Sequence, residues 1–75
     1  MTLRNLILLH LSEREMSIIA LGGLAQRYNC RPVLKFSLGW LLNRGLIERK
    51  PNSGQFIITE KGRAVVQGAK DNGLL

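Results

Sequence analysis

The chain has little cysteine and little histidine: Cys30 and His10 are the single examples among 75 residues. One cysteine cannot form a disulfide within the chain, so the core, or a second copy of the chain, has to stabilise the fold. The five carboxylates are scattered along the sequence and, with one Cys and one His, offer no cluster of metal ligands. A lone thiol is typical of a protein in a reducing compartment.

Long hydrophobic runs are missing as well. No apolar stretch approaches the ~18 residues that a membrane-spanning helix requires. The run of Leu and Ile at 6–9 ends at His10, and no small-residue cleavage site follows, so a secretory signal is not expected. The sequence therefore predicts a cytoplasmic protein without a membrane partner.

Side chains that could perform catalysis do not occur in a recognisable pattern. The sequence has no nucleophile–base pair, no paired carboxylates and no phosphate-binding loop. Gly22 and Gly23 lack the spacing of a dinucleotide-binding motif and the lysine of a P-loop. We therefore expect no enzymatic activity and no cofactor, and no small-molecule ligand is evident from the sequence.

Acidic residues are also scarce. Five Asp and Glu residues stand against 11 Lys and Arg, which gives a formal charge of +6 and a pI near 10.5. A chain of this length forms one small domain, residues 1–75, that buries only about 60% of the surface its unfolded chain exposes. The excess of positive charge favours a polyanionic partner, and it predicts a protein associated with the nucleoid.

Helical periodicity predicts two helices in the first third of the chain. The first covers 2–11 and places three apolar residues on one face: Leu3, Leu6 and Ile7. The second covers 13–28, and its start is set either by a capping box of Ser12 and Glu15 or by Ser17 as the N-cap. Its apolar positions follow helical spacing: Ile18, Leu21, Ala25 and Tyr28.

A third helix is predicted over 32–44. Pro32 fits a first helical turn, where its missing N–H would be unpaired in any case. Gly45 suits the left-handed position just beyond a helix end. An apolar stripe should face the core: Leu34, Leu38 and Leu41.

From residue 46 the apolar pattern alternates, which predicts a two-stranded hairpin over 46–59 with a turn at 51–54. A lone hairpin is barely stable in water, so this one should pack on the helices through three apolar side chains: Ile47, Phe56 and Ile58. Thr59 then caps a short last helix over 60–69, with Ala64 and Val65 on its inner face.

The predicted fold is therefore mainly α with a β-hairpin wing. Two helices joined by a short turn and followed by such a hairpin make a winged helix-turn-helix, with a three-helix core, a two-stranded wing and a short C-terminal helix. The order of elements covers most of the chain.

Two segments carry a resemblance to a known family. Residues 41–49 read Leu-Leu-Asn-Arg-Gly-Leu-Ile-Glu-Arg, and residues 56–64 read Phe-Ile-Ile-Thr-Glu-Lys-Gly-Arg-Ala. They resemble winged-helix transcriptional regulators of the MarR and PadR type, in which a Gly-Leu-Ile-like step leads into the wing and a Leu-Thr-Glu-Lys-Gly-Arg-like segment leads out of it. Here Ile58 replaces the usual leucine.

The resemblance implies a small transcriptional regulator that binds double-stranded DNA. Helix 32–44 would enter the major groove, and the wing at 49–55 would reach the backbone or the minor groove. Phe36 departs from these families, which carry a polar base-contacting side chain at its position. Direct contact of Phe36 with a thymine methyl or a sugar is one alternative for it, beside coverage within the monomer and a protein interface.

Basic residues concentrate on the segments that would contact DNA. Between 27 and 50 they are opposed by Glu48 alone: Arg27, Arg31, Lys35, Arg44, Arg49 and Lys50. Arg31 and Lys35 are the strongest candidates, because a cation at a helix start gains nothing from the helix dipole but can reach a guanine edge or a phosphate. Arg27 and Arg44 have a structural alternative, since cations stabilise helix C-termini.

The predicted wing is cationic and rich in hydrogen-bonding groups. The candidate contacts are Arg49, Lys50, Asn52, Ser53 and Gln55. They suit phosphates or a narrow minor groove. The alternative is that the charges only protect an exposed strand edge.

A second apolar stripe lies on the third helix, at Val33, Phe36 and Trp40. It is either covered within the monomer or forms a protein interface, for which exposed Phe and Trp are favoured anchors. A homodimer would cover the stripe and align two recognition helices with a two-fold operator. The alternative function is therefore a winged-helix module that binds protein or peptide through this stripe or through the wing edge.

Overall fold

Four helices and one β-hairpin make up residues 2–73, the part of the chain that the structure, a computed structural model, describes. In chain order they are α1 Leu3–Leu11, α2 Ile18–Arg27, α3 Leu34–Asn43, β1 Ile47–Arg49, β2 Phe56–Ile58 and α4 Glu60–Asp71. A 3₁₀ turn at Arg31–Val33 leads into α3. The mainly helical fold with a hairpin agrees with the prediction. Within 2–73 no helix combines the length and apolarity that crossing a bilayer demands.

Hydroxyl side chains start three of the four helices. Thr2, Ser17 and Thr59 accept hydrogen bonds of 3.3, 3.1 and 3.1 Å from the backbone N–H three residues further on. Such N-caps stabilise a helix by about 1 kcal/mol each. The N-cap predicted at Thr59 is confirmed. Of the two N-caps predicted for α2, the structure has Ser17 and not the capping box of Ser12 and Glu15.

The predicted range 13–28 for the second helix is too long, because α2 begins at Ile18 and ends at Arg27. The backbone of Met16 pairs instead with Phe56 of the hairpin, through N–H···O bonds of 3.1 and 2.7 Å. A residue bonded to a strand on both its N–H and its C=O is unavailable to a helix. Of the apolar positions at helical spacing, Leu21 and Ala25 are buried, whereas Ile18 and Tyr28 are exposed.

The reversal between α2 and α3 is tight. Asn29 adopts a left-handed conformation with φ of 56°, and the N–H of Cys30 donates to the carbonyl of Ala25 at 2.8 Å. Pro32 then lies in the first positions of the 3₁₀ turn. The predicted helix over 32–44 is thus a 3₁₀ turn followed by an α-helix that ends at Asn43, with Gly45 in the left-handed region as predicted.

The hairpin pairs Ile47 with Ile58 and Arg49 with Phe56 in antiparallel register. The hairpin predicted over 46–59 has longer strands on either side of its turn than the structure shows. Only three residues on each side form the ladder. Ile47, Phe56 and Ile58 are buried, as predicted, and Met16 adds a single bridge beside Phe56. The hairpin is therefore held by the helical core rather than by its own two strands.

The core lies where α1, α2, α3 and the hairpin meet. Its most deeply buried large side chains are Ile7, Leu11, Leu21, Leu41 and Ile47. Helix α4, which extends to Asp71 rather than to 69, covers it with Val66. The inner face predicted at Ala64 and Val65 is wrong, because Gly62 and Val66 are the buried positions and both predicted residues are exposed.

Candidate nucleic-acid interface

The start of α3 presents two exposed cations, Arg31 and Lys35. Arg31 lies in the 3₁₀ turn and Lys35 in the first turn of the α-helix. The Nη1 group of Arg31 donates a hydrogen bond of 3.3 Å to the side-chain oxygen of Gln26, near the end of α2. Because Gln26 is neutral, this bond orients the guanidinium without reducing its charge. We call Arg31, Lys35 and Gln26 the helix-start cluster.

Ion pairs are scarce among the described residues. Within residues 2–73 the one ion pair joins Lys50 to Glu15, at 3.0 Å. Neither Arg31 nor Lys35 has a carboxylate oxygen within the 4.0 Å of an ion pair in that range. Their charges remain available to an external anion.

The apolar stripe predicted at Val33, Phe36 and Trp40 does not form one continuous surface. Val33 is 48% exposed and Phe36 is 80% exposed, whereas Trp40 is partly buried and packs against the core. Arg4 of α1 and Arg44 lie against the Trp40 ring. Of the two alternatives predicted for the stripe, coverage within the monomer applies to Trp40. Phe36 and Val33 remain exposed, close in sequence to Lys35.

The hairpin tip, residues 50–55, has a defined shape. The carbonyl of Lys50 accepts from the N–H of Gly54, and the N–H of Lys50 donates to the carbonyl of Gln55, both at 2.8 Å. Gly54 has φ of 69°, the left-handed value that glycine adopts without strain. Asn52 and Ser53 stand exposed at the end of the turn.

Arg49 is attached to this tip. Its Nε donates to the carbonyl of Gly54 at 3.1 Å, and its guanidinium lies 5.5 Å from the centre of the Phe56 ring. A guanidinium has five N–H donors, so this bond leaves the two Nη groups for other acceptors. Arg49 therefore combines a fixed position with free donors.

Lys50 and Gln55 are more constrained than the sequence suggests. The Lys50 ammonium is paired with Glu15, and both side chains are a little over two-fifths exposed. The N–H of Gln55 donates to the Ser53 hydroxyl at 3.3 Å, and the Gln55 side chain is partly buried. Of the predicted contacts at the tip, Asn52 is the freest, whereas Ser53 is exposed but its hydroxyl already accepts that bond.

Arg27 lies apart from the helix-start cluster. Arg31 lines an open hollow with Ile18, Ile19 and Gln26, whereas Arg27 lines a different one on the side of His10 and Arg14. Arg27 also occupies the last turn of α2, where a cation interacts favourably with the helix dipole. The structure thus associates Arg31 with Gln26 and Arg49 with the tip, and it does not bring Arg27 to either.

Sequence reasoning missed Gln26 and Glu15. Gln26 precedes Arg31 by five residues across a tight turn, and Glu15 meets Lys50 from 35 residues away. Neither spacing is a recognisable motif, because each contact depends on how the helices and the hairpin pack. In the described range no three His, Cys, Asp or Glu side chains gather as a metal site.

Comparison with protein-family models, with curated proteins and with solved structures finds no match to this chain.

Proposed function

We propose that this protein is a small double-stranded-DNA-binding protein of the winged helix-turn-helix type, acting as a transcriptional regulator. The observation that carries the proposal is the pair of exposed cations at the start of α3, Arg31 and Lys35, without a carboxylate partner in the described range. Helix stability does not account for them, because the dipole at a helix start slightly disfavours positive charge.

The order of elements supports the winged-helix assignment. A helix is followed by two helices across a tight turn, then by a hairpin and a further helix. The pairing of Met16 with Phe56 attaches the hairpin to the segment between α1 and α2, and strand β1 contacts α3. This arrangement is what a helix in the major groove and a neighbouring wing on the backbone require.

In this proposal α3 is the recognition helix. The Arg31 guanidinium, oriented by Gln26, would bind a guanine edge through two donors or hold a phosphate. Lys35 follows one turn later and would contact the backbone. Phe36, at 80% exposure, supplies an apolar contact of the kind that a thymine methyl offers.

The hairpin tip would act as the wing. Arg49 keeps free donors beside an ordered turn, and Asn52 and Ser53 add exposed hydrogen-bonding groups. Such groups suit phosphate oxygens, which fix the register of a protein on DNA without reading sequence.

The salt dependence of binding tests this proposal. Fluorescence anisotropy of a labelled random-sequence duplex, titrated with protein at increasing KCl, gives the observed binding constant at each salt concentration. We expect a log–log slope of roughly −3 to −6 per monomer, because each neutralised phosphate releases counterions. Absence of duplex binding at low salt would contradict the proposal.

A second candidate function is a winged-helix module that binds protein. The observation that favours it is exposed apolar surface, since Phe36 is 80% and Ile19 84% exposed. An interface of this kind depends little on salt, and Phe36→Ser would abolish it. Binding of a protein partner without any binding of duplex would select this candidate over the first.

A further inference from the structure

The far end of α3 carries a cleft that neither the sequence nor the proposed DNA contact explains. The cleft has a volume of about 490 Å³ and lies between α1, the end of α3 and the start of α4. Apolar side chains line part of it: Leu8, Trp40 and Val65. Three cations, one from each neighbouring segment, line the rest: Arg4, Arg44 and Lys61. We call it the Trp40 cleft.

Two of these cations are held in place by the indole ring. The guanidinium carbon of Arg4 lies 4.2 Å from the centre of the Trp40 ring, and that of Arg44 lies 3.9 Å from it. Cation–π attraction of this kind orders a guanidinium while leaving its N–H groups without acceptors. Two ordered guanidiniums with free N–H groups therefore preorganise the cleft for an anionic group.

No negative charge compensates these cations within the described range. None of the residues around the Trp40 cleft is acidic, and none of the three cations has an ion-pair partner among residues 2–73. Three like charges around one concave surface raise the local positive potential and favour an anion there.

The apolar side of the cleft is also without a partner in the fold. Val65 is 44% exposed although it lies on an amphipathic helix, and it faces the cleft beside Leu8 and Trp40. A volume near 490 Å³ falls in the range of small-molecule sites, which combine mostly apolar walls with a few placed polar groups. A concave site of this size suits a compact ligand better than a polymer.

We propose that the Trp40 cleft binds an amphipathic organic anion. Its sulfonate, phosphate or carboxylate group pairs with the cations of the cleft, Arg4 among them, and its apolar body packs on Leu8 and Val65. The site goes beyond the proposed DNA contact and is separate from it, because the 10-residue helix α3, about 15 Å long, lies between Arg31 and Arg44.

The test uses two dyes that differ by one sulfonate group, 8-anilino-1-naphthalenesulfonate and its uncharged analogue N-phenyl-1-naphthylamine. Trp40 is the single tryptophan, so its indole N–H resonance and its fluorescence report directly on the cleft. We expect the sulfonate to bind saturably, one per chain, to shift the indole resonance, and to bind about tenfold or more tightly than the uncharged dye.

Variants then locate the anion. Arg4→Gln should weaken sulfonate binding about fivefold or more, whereas Arg14→Gln, which removes the same charge from the exposed turn after α1, should leave it nearly unchanged. If Arg4→Gln fails to fold by circular dichroism, Lys61→Gln replaces it, since Lys61 is exposed and makes no hydrogen bond to another described side chain.

Three results would overturn the proposal. They are equal affinity for the two dyes, equal weakening by the cleft variant and by Arg14→Gln, and a dye that shifts Phe36 resonances while the Trp40 indole stays unmoved.

Discussion

Arg31 occupies a position where a positive charge is slightly unfavourable for its own helix. Its guanidinium is exposed and its side chain bonds to the neutral Gln26. A side chain that is oriented but not neutralised suits recognition of an external anion. Arg31 is therefore the single residue on which the proposed DNA contact depends most.

The prediction for Arg31 concerns sequence preference. A preferred duplex, enriched from a random library by rounds of binding, is compared with a scrambled duplex of the same composition. Arg31→Ala should lose about 1–3 kcal/mol on the preferred duplex and less on the scrambled one, because a base contact is removed. Binding isotherms of both duplexes measure the difference.

Arg14→Ala is the matched control, since Arg14 is also exposed and carries the same charge on the turn after α1. It should weaken both duplexes slightly and by the same factor. Identical effects of the two substitutions would show that Arg31 contributes charge alone.

Gly62 and Gly68 make a second comparison of single residues, on one helix. A Cβ at Gly62 would collide with the carbonyl oxygen of Leu46, whereas a Cβ at Gly68 meets nothing within 4 Å. Gly62→Ala should therefore destabilise the fold by about 1–3 kcal/mol. Gly68→Ala should stabilise it by up to about 1 kcal/mol, because alanine favours the helix.

Urea unfolding followed by circular dichroism measures both variants. Equal stability of Gly62→Ala and the unmodified protein would mean that α4 does not approach the hairpin as closely as the structure has it.

One backbone bridge and one ion pair join the hairpin to the segment between α1 and α2. Met16 pairs with Phe56, and one residue earlier Glu15 pairs with Lys50 at 3.0 Å. Glu15 thus competes with any phosphate for the Lys50 ammonium at the base of the tip. Exposed ion pairs of this kind contribute about 0–1 kcal/mol, so the competition is modest but measurable.

Glu15→Gln should strengthen duplex binding about two- to fivefold by releasing Lys50. Glu13→Gln removes the same charge two residues away, where the carboxylate has no ion-pair partner among residues 2–73, and should strengthen binding less. Anisotropy titrations at one salt concentration compare the two. A larger effect of Glu13→Gln would rule out the competition.

Most elements could be predicted from the sequence because local chemistry determines them. Thr59 marks a helix start through its side-chain hydroxyl, which accepts a hydrogen bond from the N–H of Gly62, and Gly45 marks a helix end through its left-handed φ. The alternation after residue 46 predicts the hairpin. The late start of α2 could not be predicted, because Met16 is recruited by a strand 40 residues away. The buried face of α4 was predicted wrongly, because the pattern of apolar residues does not indicate that Gly62 is buried.

The candidate site was less accessible to sequence reasoning than the fold. Basic residues can be counted along the chain, but which of them are paired depends on tertiary contacts, as with Lys50 and Glu15. Trp40 and Arg44 stand four residues apart, a spacing that places them on one helix face. Arg4 also lies against the Trp40 ring, but it belongs to α1, and nothing in the sequence indicates that the two residues meet.

The molecule as a whole carries a formal charge of +6. In the proposal, the cations that face DNA are those of the helix-start cluster and the hairpin tip. The remaining cations are dispersed, with three at the Trp40 cleft and others on α4. The proposal therefore makes a geometric statement: one face of the molecule contacts DNA, and the opposite end of α3 does not.

NMR titration of ¹⁵N-labelled protein with a short duplex tests that statement most directly. We expect the largest amide shifts at 31–36 and at 49–55, with the Trp40 indole resonance nearly unmoved. Shifts concentrated on α4 and around Trp40, with 31–36 and 49–55 unchanged, would contradict the account.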